Sequence, residues 1–453
     1  MTRNYWFLLC VSTAAACGGS SETPQPDGPP VIQPDGPPVI QPDSPPACPA
    51  ATGPTHHSGN ITTEQTWTAA ASPHIIDFGF TITSATVTIE PCVEVKIAAD
   101  ATVTAGLGGA IVGEGTADRP ITIGAIDPSQ PWATLRAIGG RIRLAYATVS
   151  DGGLPPGNAV PYTVGAFMAQ SVSDPNAPAE TLSFDHVTIQ DSRSDGIQMS
   201  GTKMDPASTD LTIVRAAQYP VRFTPSAIGT LPSGSYVGNG HDEILVPGGS
   251  VLENTTLRDR GVPYHIGDGV SSAELRVGTQ PGDPVITLTI EPNVTLRFEK
   301  DGILSIEHVS GTSPASGALI AVGTGAPIVF TSAADVPAAG DWVGVVFGSA
   351  PDPHDALDNV RVEYAGALTG TIGASCVTGP AQAAVQIVGA EPASGFLTNS
   401  TIFASAKDGV YRGWIGPEVD FLSSNTFTDV PGCDETFPHP AQGVCPADPP
   451  CPK

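Results

Sequence analysis

Positive charge is scarce in this sequence: 19 Lys and Arg stand against 45 Asp and Glu in 453 residues, a net charge of −26. Nucleic acid is thereby excluded as a partner, because its phosphates need a basic face. Charged residues of both signs reach only 14% and aromatic residues 6%, whereas Gly and Pro number 51 and 46. In a helix interior Pro costs about 3 kcal/mol and Gly about 1 kcal/mol, so a mostly helical chain is excluded too. Long apolar runs are missing: the uncharged stretch from Tyr5 to Ala16 falls short of the roughly 20 residues that a spanning helix needs. No P-loop, nucleophile elbow or dinucleotide fingerprint occurs. What is present is 40% hydrophobic residues, with Val, Ile, Thr and Leu in short clusters, which is too much apolar matter for wholesale disorder. The length suits two or three average domains or one long repeat array.

Residues 1–16 read as an export leader with Arg3 as its only charge, so its removal takes the net charge from −26 to −27. The leader ends in Thr13-Ala14-Ala15-Ala16-Cys17-Gly18-Gly19, which resembles the lipobox of bacterial lipoproteins. That resemblance implies lipidation at Cys17, and Gly18 rather than Asp resembles lipoproteins sorted to the outer membrane. Ala14 stands where Leu is commonest, and Ala14-x-Ala16 also suits cleavage of a secreted soluble protein. Residues 17–50 carry Pro-Asp-Gly-Pro-Pro-Val-Ile-Gln repeats, which lack the N–H groups for a ladder and predict an extended linker of about 3.1 Å per residue.

The body, residues 51–431, repeats itself. Val87-Thr88-Ile89-Glu90-Pro91 matches Leu288-Thr289-Ile290-Glu291-Pro292, Trp132 matches Trp342, and Asp195-Gly196-Ile197 matches Asp408-Gly409-Val410. Two related halves follow, about 81–215 and 282–431. A finer phrase, apolar then Thr four later and apolar five later, recurs at Leu144/Thr148/Val149, Phe184/Thr188/Ile189, Leu252/Thr256/Leu257, Leu397/Thr401/Ile402 and Leu422/Thr426/Phe427. Leu357/Arg361/Val362 has the same form. Short strands that turn alternate side chains inward and stack coil on coil produce such a pattern. Asp185, Asn254, Asn359 and Asn399 are expected at left-handed corners or bonded along the stack, and Gly196 and Gly409 at positive φ. Alternation alone also fits a tandem of β-sandwiches, but sandwiches do not explain one recurring phrase.

Gly340-Asp341-Trp342-Val343-Gly344-Val345-Val346-Phe347 and Asn359-Val360-Arg361-Val362-Glu363-Tyr364-Ala365-Gly366 resemble the right-handed parallel β-helix proteins of the pectate-lyase-like superfold, in particular exported lipoproteins of myxobacterial type. The expected fold is therefore all-β, a right-handed parallel β-helix behind a Pro-rich linker. The superfold includes polysaccharide lyases and glycoside hydrolases, so catalytic sets need testing. Asp185, His186, Asp191 and Asp195 form the best local candidate for a binding, calcium or acid–base site. Gly240-His241-Asp242-Glu243 departs from the Gly-His-Gly phrase of the polygalacturonase-like enzymes at its third position. His56-His57 lacks the ligand set of a structural zinc site.

Six cysteines follow Cys17: Cys48, Cys92, Cys376, Cys433, Cys445 and Cys451. An even count in an exported chain predicts disulfides, with 15 pairings open. By position Cys48 can fasten to Cys92 while the others fix the Pro- and Cys-rich tail, 432–453, as a cap over the last coil. Without a complete catalytic set, the expected function is a non-catalytic scaffold, membrane-bound through the lipid and taking a glycan or another envelope component. A polysaccharide lyase or glycoside hydrolase is the alternative.

Overall fold

Side chains of a strand alternate between its two faces, so apolar residues five apart cannot both face a core unless one residue between them breaks the alternation. That break is the architectural device of this protein. In the strand Arg141–Ser150, Ile142 and Leu144 point inward, Tyr146 takes φ 44°, and Ala147 and Val149 then point inward on the opposite parity. Glu180–Gln190 does the same around His186 at φ 54°, with Leu182 and Phe184 before it and Val187 and Ile189 after it. Asn359 and Asn399 make the equivalent corner later in the chain. Nine of the sixteen non-glycine residues at positive φ among the described residues are Asn or Asp, the side chains that tolerate this backbone best.

The computed structural model describes residues 47–154, 164–279, 283–306, 316–348, 350–368, 381–441 and 451–452. The leader, Cys17, the Pro-rich repeats, Cys376 and Cys445 lie outside these. The described chain is a parallel β-helix: every strand pair is parallel, in sheets of thirteen, twelve, six and five strands. Successive coils pair in register, so Leu144 lies on Phe184, Val149 on Ile189, and Thr148 on Thr188. The threonines continue as an outer ladder from Thr122 through Thr148 and Thr188 to Thr212. Aliphatic and aromatic side chains fill the inside in a continuous core, with Trp132 and Trp342 fully buried. Each indole N–H donates to the carbonyl of the next coil, Trp132 to Ser150 at 2.9 Å and Trp342 to Glu363 at 2.7 Å. The two matched tryptophans thus do the same work.

Matched strands do not occupy matched sheets. Val87–Ile89 lies in the twelve-stranded sheet but Leu288–Ile290 in the five-stranded one; Ile197 lies in the thirteen-stranded sheet but Val410 in the six-stranded one. Relative to the thirteen-stranded sheet, the second half runs one strand position out of phase, and the coils between the halves form a seam.

Several expected positions need correction. Gly196 and Gly409 are not at positive φ; they are required by close packing, because a Cβ would lie 2.6 Å from Pro220 O and 2.4 Å from Asp434 O respectively. Leu252 is exposed and Leu422 half-buried, because Val251 and Phe421 take the inward places. Asp185 hands its corner to His186, whereas Asn254 bonds along the stack as expected, its Oδ1 accepting Thr287 N–H across the coils at 2.9 Å.

Both ends are fastened. Cys48 is bonded to Cys92 and Cys433 to Cys451. At the C-terminal end, Glu435 and His439 form parallel bridges to Val410 and Ile415. The Arg412 side chain, fully buried, donates to Val419 O at 2.9 Å and to Thr436 O, and its Nη2 lies 3.3 Å from Glu435 Oε1, misaligned for a hydrogen bond. Among the described residues no helix is long and apolar enough to cross a membrane.

Candidate functional site

At the seam the outer face of the thirteen-stranded sheet changes character. Register places Gln198, Arg222, Leu245, His265, Arg297 and Thr331 in one outward row, with neighbouring strands about 4.8 Å apart. Glu243 stands two residues before Leu245 and Glu299 two after Arg297, so three successive coils bring Glu243, His265 and Glu299 together.

His265 bridges the two carboxylates. Its Nδ1 lies 2.7 Å from Glu243 Oε2 and its Nε2 3.2 Å from Glu299 Oε1. A ring flanked by two acceptors donates from both nitrogens, which is the imidazolium form. Burial opposes that charge, since only 12% of the side chain is exposed, but the two hydrogen bonds and the charges of Glu243 and Glu299 outweigh it and raise the pKa above 6.5. Burial likewise opposes the Glu243 carboxylate, yet His265 and Arg297 hold its pKa below the usual 4.5. Arg297 bonds Glu243 and also Ala333 O at 3.1 Å.

A second ionic group lies beside the first. Asp195, fully buried, accepts hydrogen bonds from Gln198 Nε2 at 2.7 Å, Arg222 Nε at 2.9 Å and Tyr219 N at 3.1 Å. The Tyr219 ring stacks on His241 at 4.7 Å and meets His265 edge-on at 6.0 Å. Burial, with the charge of Glu243, pushes the Tyr219 hydroxyl above its ordinary pKa.

Next to Glu299 the chain leaves an open cleft of about 690 Å³, lined by His265, Glu299, Lys300, Asp301, Ser332 and Asp341 among others. Glu299 Oε2 accepts Gly269 N–H at 2.8 Å, and Asp341 Oδ2 accepts Ser332 Oγ–H at 2.7 Å. The loops that carry Gly269 and Ala334 also carry Val270 and Val336, which are 92% and 85% exposed. Hydroxyls, carboxylates and one ammonium thus face a shallow space with apolar lips, a composition suited to a polar, uncharged or cationic ligand.

The sequence candidates at 185–195 are dispersed. Asp185 bonds His186 Nδ1 at 2.7 Å, and His186 Nε2 reaches Asp210 at 3.1 Å, all on the corner of the twelve-stranded sheet. Asp191 is held at the following corner by a two-pronged Arg215, whose hydrogen bonds depress its pKa despite partial burial. Asp195 faces the thirteen-stranded sheet. Among the described residues no group of three or more His, Cys, Asp and Glu is arranged to hold a metal ion. His241 adjoins the seam cluster through Tyr219, while His57, stacked on Trp67 at 4.2 Å, has its pKa lowered to about 4 by burial and the neighbouring His74.

Sequence reasoning did not single out His265, Glu299 or Arg297. Glu243 and His265 are 22 residues apart, His265 and Glu299 34, and both intervals are one coil of the winding. A search for polar pairs at coil spacing would have found them. No protein family, curated protein or solved structure matches this chain.

Proposed function

We propose that this chain is a surface-displayed, non-catalytic β-helix scaffold of the pectate-lyase-like type, and that the seam cleft binds a neutral glycan. The observation that carries the reading is the cleft itself: the polar lining around Glu299, Asp301 and Asp341 offers acceptors for sugar hydroxyls, and His265 is locked behind it as a charged donor. A glycoside hydrolase needs a carboxyl kept protonated near neutral pH beside a second carboxylate. Among the described residues the carboxyls that burial lifts are Asp355 and Glu435, and both belong to other parts of the solenoid. Export and lipidation at Cys17, with residence at the outer membrane, complete the proposal; soluble secretion is the alternative.

Two experiments test it. On a glycan array the full chain is expected to retain a subset of neutral glycans, with Glu299→Gln reducing that binding at least tenfold; turnover of any retained glycan would replace the scaffold reading by the lyase or hydrolase one. Detergent-phase partitioning of the exported protein is expected to be lost in Cys17→Ala, and partitioning that persists in that variant would remove the lipid anchor.

A further inference from the structure

In a chain this acidic, most arginines come with acceptors. Arg193 holds Pro128 O, Arg215 holds Asp191, Arg222 holds Asp195, and Arg276 holds Glu274. The side chains of Arg119, Arg136, Arg141 and Arg143 make no hydrogen bond or ion pair with any described residue, and of these Arg141 and Arg143 stand two residues apart on one strand, both exposed. They alternate with the fully buried Ile142 and Leu144, so both guanidinium groups leave the twelve-stranded sheet on its outer face. Two residues of strand separate them by about 6.7 Å.

Their neighbours are small. Across one side Ala110 faces Arg141 and Val112 faces Arg143; across the other, Ser183 faces Arg143. The result is a trough of about 540 Å³ on the face of the sheet, closed at its far rim by Glu180, Asp205 and Pro206. Asp205 is occupied in its own turn, where Oδ1 accepts Ala207 N–H at 2.9 Å. Two like charges this close repel, and neither guanidinium is paired with a carboxylate at hydrogen-bond or ion-pair distance. A guanidinium fork matches the oxygens of a compact anion in two-pronged fashion, and Ser183 adds a hydroxyl donor beside Arg143.

The size of that anion follows from the rest of the surface. A long polyanion lying in the trough would run past Glu180 and Asp205 onto a protein of net charge −26, and at physiological salt repulsion acts over about 8 Å. A single anionic group on an otherwise neutral molecule avoids this. We propose that the Arg141–Arg143 trough is a binding site for a tetrahedral oxyanion ester, a phosphate or sulfate group carried by a neutral sugar. The site lies on a different sheet from the seam cleft and does not depend on it.

Titration calorimetry of the folded protein with glucose 6-phosphate, glucose 6-sulfate, glucose and heparin tests this. Both esters are expected to bind and glucose not; the ratio of the two affinities identifies the natural source. Arg141→Gln and Arg143→Gln should each weaken ester binding about tenfold without shifting the melting temperature, whereas Arg119→Gln should leave it unchanged. Phenylglyoxal labelling mapped by mass spectrometry provides a second readout, with Arg141 and Arg143 protected by the bound ester. The proposal is overturned if neither ester binds, if the double variant binds as well as wild type, or if heparin binds at this trough more tightly than the single esters.

Discussion

The protein contains the same ionic arrangement twice. At the corner of the twelve-stranded sheet His186 bridges Asp185 and Asp210 at 2.7 and 3.1 Å; at the seam His265 bridges Glu243 and Glu299 at 2.7 and 3.2 Å. Distances and residue types barely differ, and both bridges join neighbouring coils. Exposure differs: 45% for the His186 side chain against 12% for His265. In water such a bridge gains little, because solvent screens the charges and the side chains lose rotamer freedom. Sheltered on the sheet face, the same atoms depend on one another, because each charge left alone would be stranded away from water. Burial, rather than the set of groups, turns an ionic ornament into a structural and chemical centre.

A third sheltered carboxyl has no histidine beside it. Asp355 is 6% exposed, accepts Leu319 N–H at 2.7 Å, and burial with the nearby Asp352 pushes its pKa to about 7. Its folded pKa lies above the unfolded 3.8, so stability is undiminished below pH 3.8 and falls as pH rises toward 7. Asp355→Asn is therefore expected to stabilise the protein at pH 8 by on the order of 4 kcal/mol, and not at all near pH 3.5, in denaturant melts. A gain that is the same at both pH values would show that charge is not the cause.

Removing His265 is the next largest effect. His265→Ala leaves Glu243 sheltered with Arg297 alone and should cost about 3 kcal/mol. The folded pKa of His265 is raised, so its contribution is whole below pH 6.5 and is lost as pH rises through the folded value; that of Glu243 is present above pH 4.5 and lost on acidification. Melting temperature against pH should therefore decline on both sides of this window in wild type, and His265→Gln should flatten the alkaline side. A variant curve with the same alkaline decline would assign it to another group. Smallest of all, His186→Ala is expected to cost under about 1 kcal/mol and to become silent in 1 M salt; a loss equal to that at His265 would break the comparison outright.

Much of the winding is legible in the residues, and the reason is parity. Leu144/Thr148/Val149 and Leu397/Thr401/Ile402 carry apolar residues at an odd spacing that a straight strand cannot use, and each interval contains a left-handed corner, Tyr146 and Asn399. Where the phrase misled, at Leu252 and Leu422, an adjacent apolar residue, Val251 or Phe421, offered a second parity, and only packing decides between them. Gly196 and Gly409 were expected at positive φ and are not there; the constraint is a neighbouring coil's carbonyl, which no local pattern reveals. The candidate site was hidden for the same reason. Asp185, His186, Asp191 and Asp195 are close in sequence and diverge in space, because a coil turns a corner between them. Glu243, His265 and Glu299 are distant in sequence and converge, because stacking joins what the winding separates.

The one-position displacement between the halves has a consequence for growth. A unit copied with that offset advances like the thread of a screw: each new copy would present its matched strands one position further round than the last. Duplication in this architecture therefore distributes successive copies of a surface motif around the column, so an elongated version would display its ligands in a spiral.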